Sequence, residues 1–325
     1  MRTQHRGTAG GLGLALLSAA SFAMSGSFAR SLTDAGWSPA AAVAARVGVA
    51  ALMLAVPALL AMRGRWPALR RNGVMVVIYG LVAVAGGQIF FFNAIQRLSV
   101  GVALLLEYLG VVLVVGWMWV RHGHLPRRFT LAGSALALVG LMLVIDVTGG
   151  TPIDAVGVLW ALAGAFGLAA YFVLSSRIPE DLPPLALAGG GMTVGFATLL
   201  VLGGLGAVPM RASFAGVAIA GHRTSFLVPV IGLSLFGSAI AYVAGIAAAR
   251  RLGPKLSSFI GLTEVLFAVL FAWLILGELP SGTQLAGGLL ILGGVALVRV
   301  DELALQVRRQ DALGAPTLAH DADQA

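Results

Sequence analysis

The chain has 325 residues, of which 59% are hydrophobic and 10% charged, and its mean hydropathy is +0.96. Soluble domains carry about 25% charged residues, so this composition excludes a water-exposed globular protein and indicates one embedded in a lipid bilayer. The net charge of +8 does not indicate nucleic acid binding because the arginines lie in short loops, and the absence of cysteine excludes disulfides, thiol nucleophiles and Cys-ligated metals.

Apolar segments long enough to cross a bilayer recur along the whole chain. A transmembrane helix needs about 20 apolar residues, and short charged or Gly- and Pro-containing breaks separate segments of that length. The sequence therefore predicts an all-α integral membrane protein with ten transmembrane helices. The predicted spans are 9–29, 39–62, 73–95, 99–120, 129–145, 156–175, 184–208, 225–248, 256–276 and 282–300.

The first segment has a second interpretation, a cleaved signal peptide. Arg2 and Arg6 precede it, and Ser27-Phe28-Ala29 has the small-x-small pattern of a cleavage site. Cleavage would leave nine spans and break the pairing of the two halves described below, so we predict a retained helix. At the other end, the polar residues 302–325 predict a disordered cytoplasmic tail.

Loop charges predict the orientation of the chain. With the N-terminus in the cytoplasm, the cytoplasmic regions hold sixteen Lys and Arg residues and the outer regions hold four, and Arg46 lies inside a span. Positive residues concentrate on the cytoplasmic side of membrane proteins. Both termini are therefore predicted to be cytoplasmic, in a bacterial-type inner (plasma) membrane.

The second half of the chain repeats the first at an offset of 154 residues. Trp119 matches Trp273, Arg97 matches Arg251, and Gly-x-Leu-Pro at 123–126 recurs at 277–280. We place the two five-helix repeats at residues 1–148 and 149–301. Because five is odd, the second copy enters the membrane upside down, and inverted repeats are typical of alternating-access transporters with a site near the midplane.

Several motifs resemble the EamA-type transporters of the drug/metabolite transporter (DMT) superfamily. Trp273–Pro280 (WLILGELP), followed by Leu285-Ala286-Gly287-Gly288, is similar to the family's C-terminal signature, and Ser38-Pro39 followed by Arg46 to its first-repeat pattern. Gly101–Gly110 (GVALLLEYLG) resembles the threonine/homoserine exporter branch. The resemblance implies ten helices in two repeats and export driven by the proton gradient.

Three ionisable residues lie inside predicted spans: Arg46, Glu107 and Glu264. Inserting each of these side chains into the bilayer costs about 2.5–3.5 kcal/mol. This cost favours a functional role for them. In the repeat register the two carboxyl groups are one helical turn apart on related helices, so we expect them to line a shared cavity. Desolvation favours a neutral carboxyl group, which would let one of them exchange protons. Arg46 either neutralises a carboxylate structurally or binds a substrate carboxylate.

Other polar residues in the spans are weaker candidates for the wall of the same cavity. Interhelical hydrogen bonding of the amides and the threonine, and aromatic packing of the tyrosines, are the favoured explanations of these residues. The candidates are Gln88, Asn93, Thr263, Tyr108 and Tyr242.

The sequence thus predicts a secondary transporter of small polar metabolites, amino acid-like or drug-like. It is expected to be an exporter coupled to the proton gradient by alternating access, with no cofactor, no metal site and no nucleic acid partner. An uncoupled or Na⁺-coupled facilitator or importer is the alternative. An intramembrane enzyme is disfavoured because no His lies within a span and Asp146 sits at a helix end. A non-transporting membrane scaffold is the remaining alternative.

Overall fold

The computed structural model describes residues 2–94, 96–98, 100–123, 126–145, 154–219, 222–271, 273–274 and 281–314. Helices make up most of this part. The first half contains α1 (Arg2–Asp34), α2 (Pro39–Ala61), α3 (Trp66–Arg71), α4 (Gly73–Ile78), the π-helical segment π1 (Tyr79–Gly86), α5 (Gly87–Ala94), α6 (Val100–Tyr108), α7 (Gly110–His122) and α8 (Arg128–Ile145). The second half contains α9 (Ala155–Ser176), α10 (Pro184–Gly204), β1 (Val217–Ile219), β2 (His222–Thr224), α11 (Leu227–Ser234), π2 (Leu235–Ile240), α12 (Ala241–Leu252), α13 (Pro254–Gly261), α14 (Thr263–Phe271) and α15 (Gly282–Gly314).

These helices confirm the predicted all-helical membrane protein with about ten spans. Eight helical stretches are long and apolar enough to cross a bilayer, and two shorter apolar helices, Ala9–Ser25 and Arg128–Val144, complete the set. We number the spans in chain order: α1 and α2 are spans 1 and 2, α4-π1-α5 is span 3, and α6-α7 is span 4. Helix α8 is span 5, α9 and α10 are spans 6 and 7, α11-π2-α12 is span 8, α13-α14 is span 9, and α15 is span 10.

Local sequence signals fix where several spans begin and end. The Ser38 side chain accepts a hydrogen bond from the Ala41 amide at the start of α2, and Pro39 occupies the first turn, where no amide proton is needed. Asp154 caps α9 through the amides of Val156 and Gly157. Such caps satisfy amides that have no partner within the helix.

Two features differ from the expectations. Helix α15 continues to Gly314, beyond residue 302, at which we expected a disordered tail to start. A short antiparallel hairpin, β1–β2, lies between spans 7 and 8 and pairs Val217 with Thr224. Residues 146–153, 275–280 and 315–325, which include Asp146, the C-terminal Gly-Glu-Leu-Pro motif and the end of the tail, lie outside the described residues.

The packing of α8 against α15 shows the repeat directly. A Cβ atom on Gly140 would lie 2.6 Å from the Gly287 carbonyl oxygen, and one on Gly287 equally close to the Gly140 oxygen. Gly133 and Gly294 meet in the same reciprocal way, at 2.8 and 2.6 Å. Gly287 and Gly294 are the counterparts of Gly133 and Gly140 at the 154-residue offset, so the two helices cross antiparallel around a pseudo-two-fold axis.

Several of the largest contacts between spans also exchange in pairs when the halves are exchanged. Spans 3 and 4 pack on span 6, the first of the second half, and spans 8 and 9 pack on span 1, the first of the first half. Span 2 packs on span 7, its own counterpart. The two halves are therefore interleaved, and the centre of the bundle is bounded by spans from both.

Candidate functional site

Arg46 of α2 is buried and held by groups from spans 3 and 8. Its Nε donates to Ser238 Oγ at 2.8 Å, Nη2 donates to the Gly237 carbonyl oxygen at 2.7 Å, and Nη1 donates to Gln88 Oε1 at 3.2 Å. All three acceptors are neutral. The described residues contain no direct ion pair between Arg46 and a carboxylate. The guanidinium group is therefore held by hydrogen bonds, and no carboxylate in contact with it neutralises its charge.

The two π-helical segments supply backbone acceptors to this centre. Gly237 lies in π2, and its carbonyl oxygen accepts from Arg46; Ala83 lies in π1, and its carbonyl oxygen is 3.5 Å from the Tyr242 hydroxyl. A π-helical turn widens the hydrogen-bonding pattern and often occurs at functional sites. The segments occupy overlapping positions of the two repeats, so related backbone irregularities approach the centre from both halves.

Tyr242 and Gln88 are the side chains that connect these segments. They are 154 residues apart and so occupy equivalent positions of spans 8 and 3, and their side chains interact with each other. Tyr242 also lies close enough to Arg46 to interact with its charge. The sequence predicted both residues, and the structure brings both to Arg46.

Both carboxyl groups stand beside a break in their helix. Helix α6 ends at Tyr108 and α7 begins at Gly110, while α13 ends at Gly261 and α14 begins at Thr263. At each break the backbone forms a hydrogen bond between residues three apart, as in a 3₁₀ turn. The Leu109 amide donates to the Leu106 carbonyl oxygen, and the Leu262 amide to the Phe259 carbonyl oxygen, both at 3.2 Å. Discontinuous helices near the midplane are typical of binding sites in inverted-repeat transporters.

Glu107 and Glu264 are close enough to each other to interact through their charges, and Arg46 interacts with both. Glu107 packs on span 6, where its Oε1 would lie 3.8 Å from a Cβ atom on Gly164. Tyr108 interacts with Glu264 across the two helices. The structure therefore brings Arg46, Gln88, Glu107, Tyr108, Tyr242 and Glu264 into one central group.

Two predicted residues do not join this group. The Asn93 amide donates to the Ile89 carbonyl oxygen at 2.8 Å, and the Thr263 hydroxyl to the Ile260 carbonyl oxygen at 2.6 Å. Both side chains thus bond to the preceding turn of their own span, in the case of Thr263 across the break between α13 and α14, and not to another span. Ser238 was not predicted, because a serine gives no signal against the many other serines of the spans.

The centre has one guanidinium group and two carboxyl groups, all between the halves. A guanidinium group fixed by neutral acceptors keeps its charge available for a carboxylate or phosphate. Two neighbouring carboxyl groups favour a proton or a cationic group between them. The arrangement can therefore hold a solute with both charges, or a solute and a proton. Among the described residues no cluster of three or more His, Asp or Glu side chains could hold a metal ion.

The chain is similar to several known or inferred transporters. The chain is 25% identical over 237 residues to YicL, an uncharacterised inner membrane transporter of Salmonella typhimurium, covering 71% of this chain and 75% of that protein. It is 24% identical over 274 residues to YyaM, an uncharacterised transporter of Bacillus subtilis, covering 80% and 84% of the two chains. Over 91 residues it is 31% identical to the pseudopaline exporter CntI of Pseudomonas aeruginosa, covering 26% of this chain and 32% of CntI.

The whole fold also matches a solved structure, and each half matches a family model. A solved crystal structure superposes with a TM-score of 0.72 and 20% identity, covering 93% of this chain and 99% of the other. The model of the EamA-like transporter family matches twice, at residues 9–146 and 155–300. These ranges contain all ten spans, and they mark the chain as a transporter and not an enzyme. The chain is a multi-pass membrane protein that belongs to the EamA-like transporter family.

Proposed function

We propose that the chain is a secondary exporter of small polar metabolites, amino acid-like or drug-like, that uses the proton gradient and works by alternating access. The central charges carry this proposal. Arg46 takes the carboxylate of the solute, and the Glu107 and Glu264 pair takes its cationic group in one state and a proton in the other. The likeness of Gly101–Gly110 to threonine/homoserine exporters favours an amino acid-like solute.

The charge balance supports coupling to a cation. With Arg46 charged and both half-buried carboxyl groups ionised, the centre would have a net charge of −1, and an unpaired charge inside a membrane span is costly. A proton or the ammonium group of a solute removes this excess. Binding of one therefore competes with binding of the other, which is the requirement for exchanging protons against a cationic solute.

The solute is identified first by a growth screen. A bacterial host that overexpresses the protein is tested for resistance to single amino acids and toxic amino acid analogues, and the compound with the largest effect becomes the labelled solute. Transport of that compound into proteoliposomes is then measured with and without an imposed pH gradient. Faster transport with the gradient is expected; equal rates would contradict proton coupling and leave an uncoupled facilitator or a Na⁺-coupled carrier.

The role of the two carboxyl groups is tested in the same vesicles. Glu107→Gln and Glu264→Gln remove a charge at nearly constant shape and are expected to abolish the response to the gradient. Glu180→Gln, at an exposed loop position, is the matched control and is expected to behave as the unchanged protein. Full gradient-driven transport by either of the central variants would refute the assignment of the site.

We also propose that both termini are cytoplasmic. The chain has no cysteine, so each introduced cysteine is a unique label site. In intact cells, a membrane-impermeant maleimide is expected to label Ser281→Cys, at the predicted outer end of span 10, and to leave Arg65→Cys unlabelled until the cells are opened. The reverse pattern would invert the topology.

A further inference from the structure

A layer of aromatic rings closes the bundle beside the central charges. It consists of Phe22, Tyr79, Tyr171, Phe172 and Tyr242, contributed by spans 1, 3, 6 and 8. Tyr171 is at its middle, with ring centroids 5.3 Å from Tyr242, 4.9 Å from Phe172 and 6.2 Å from Tyr79. Such edge-to-face and tilted packing leaves no passage for a metabolite between the rings.

Three hydroxyl groups in and beside this aromatic layer make no hydrogen bond of good geometry within the described part of the chain, although Ser175 lies near Tyr79 and Ser18 near Tyr171. They are those of Tyr79, Tyr171 and Ser175, and the three residues are 0%, 5% and 0% exposed. A buried hydroxyl group without a partner is destabilising, and native proteins rarely keep one. Three of them in one region indicate a polar occupant.

The three hydroxyl groups face a common region. Tyr171 and Ser175 are one turn apart on α9, and the side chain of Tyr79, which packs on Tyr171, interacts with Ser175. Ser18 of α1 extends the group, because both its Oγ and the Tyr171 hydroxyl lie against the backbone of Gly245. A site with two to four hydrogen-bonding groups and no charge suits a water molecule.

The hydroxyl groups also connect the central charges to one end of the bundle. Tyr171 packs on Tyr242 and interacts with Glu264, so one side of the group faces the carboxyl pair. Ser175 is the residue before the last of α9, so the other side faces the end where α9 ends and α4 begins. By loop charge this is the cytoplasmic end.

We propose that Tyr79, Tyr171 and Ser175 bind water and that this hydrated group carries the coupling proton between the carboxyl pair and the cytoplasmic end, while the aromatic layer blocks the solute. Each oxygen accepts a proton from one neighbour and releases its own to the next. One O–H bond forms for each that breaks, so the number of O–H bonds is conserved, and the hydroxyl groups and the water then rotate back to their starting orientation before the next proton passes. The water site stands on the structure alone; its use by protons rests on the proposed function.

The water site is tested without any solute. Brief X-ray irradiation of the purified full-length protein in nanodiscs generates hydroxyl radicals from water, which oxidise side chains next to bound water even when they are buried. Tyr79 and Tyr171 are expected to be oxidised at rates near that of exposed Phe214, whereas buried Phe259 stays unmodified. Tyr79 and Tyr171 as inert as Phe259 would overturn the proposal.

The proton route is tested by removing one hydroxyl group at a time. Ser175→Ala and Tyr171→Phe are compared with Ser176→Ala, whose hydroxyl group already donates to the Val173 carbonyl oxygen. In proteoliposomes, loss of one hydrogen-bond partner in the relay is expected to slow gradient-driven transport of the screened solute by about tenfold. Solute exchange at equal pH, which needs no net proton movement, should stay within about twofold.

A parallel loss of both rates, or no loss of gradient-driven transport, would overturn the proton route. If the unchanged protein shows no response to the gradient, the coupling in the proposed function fails, and the proton route fails with it. The oxidation of Tyr79 and Tyr171 is measured independently of transport and still decides the water site. The two failures are therefore distinguishable.

Discussion

Gly245 of α12 provides the space for the Tyr171 hydroxyl, and replacing it with Ala tests that contact. The new methyl group would overlap the hydroxyl and would also lie 2.7 Å from Ser18 Oγ and 3.1 Å from Tyr171 Cζ. Overpacking of this kind costs about 1–3 kcal/mol, and the better helix propensity of Ala returns up to about 1 kcal/mol. We therefore expect Gly245→Ala to lower the free energy of unfolding by about 1–2 kcal/mol.

Tyr171→Phe removes the oxygen that the methyl group meets first, so the two substitutions should not be additive. The double variant is expected to recover about 1 kcal/mol, and only in part, because Ser18 Oγ and the ring carbon remain close. Unfolding in mixed micelles titrated with SDS and followed by tryptophan fluorescence gives the four free energies. Gly116→Ala, where a methyl group meets nothing within 4 Å, is the control. Additive effects, or a Gly245→Ala effect equal to the control, would refute the assigned contact.

Three further predictions concern other parts of the bundle. Gly140→Leu places a side chain against the Gly287 carbonyl oxygen and should cost at least about 3 kcal/mol, seen as loss of the monodisperse peak in fluorescence-detected chromatography. Asp301→Asn breaks a buried pair with Lys255, 3.4 Å away, and should cost about 3–5 kcal/mol in thermal unfolding, part of which Lys255→Met added to it should restore. The Gly157 and Val156 amides and the nearby Arg97 lower the pKa of Asp154. The Asp154 cap is therefore complete above the ordinary pKa of an aspartate and is lost as the pH falls through the lowered pKa of the folded state. Protection of the amides in the first turn of α9 from hydrogen exchange should thus drop at acid pH in the unchanged protein. In Asp154→Asn, which has no carboxyl group to protonate, it should not drop.

The architecture was predictable because it follows from the composition of the chain and from the spacing of its apolar segments and repeated residues. A bilayer sets the length of each span, and paired residues such as Trp119 and Trp273 reveal the offset between halves. Gly133 and Gly140 of α8 lie at the same offset from Gly287 and Gly294 of α15, so the contact of Gly140 with Gly287 has its symmetry mate in the contact of Gly133 with Gly294. The hairpin β1–β2 was missed because a three-residue strand between two apolar spans has too few residues to show alternation.

The candidate site was predictable only where a residue is costly in lipid. Arg46, Glu107 and Glu264 stand out because a charged group inside a span demands a reason. Asn93 and Thr263 do not, because a polar side chain can return to its own helix backbone at little cost, and sequence alone does not distinguish that from a bond across helices. Tyr171 lies between these cases: a buried tyrosine packs as an aromatic residue, and only the structure shows that its hydroxyl group makes no hydrogen bond of good geometry to the described residues.

The network around Asp301 has a consequence for the energetics of the transport cycle. Asp301 accepts from Thr130 at 2.6 Å and pairs with Lys255 and Arg127, and the positions 154 residues away from Lys255 and Asp301 are Gly101 and Val147. In the proposed alternating-access cycle, exchanging the conformations of the two inverted halves converts one end state into the other. Identical halves would then make the two states equal in free energy. Only residues that differ between the two halves can make the free energies of the two states unequal. This buried ion pair, present in one half alone, is therefore a term that sets the resting ratio of the two states.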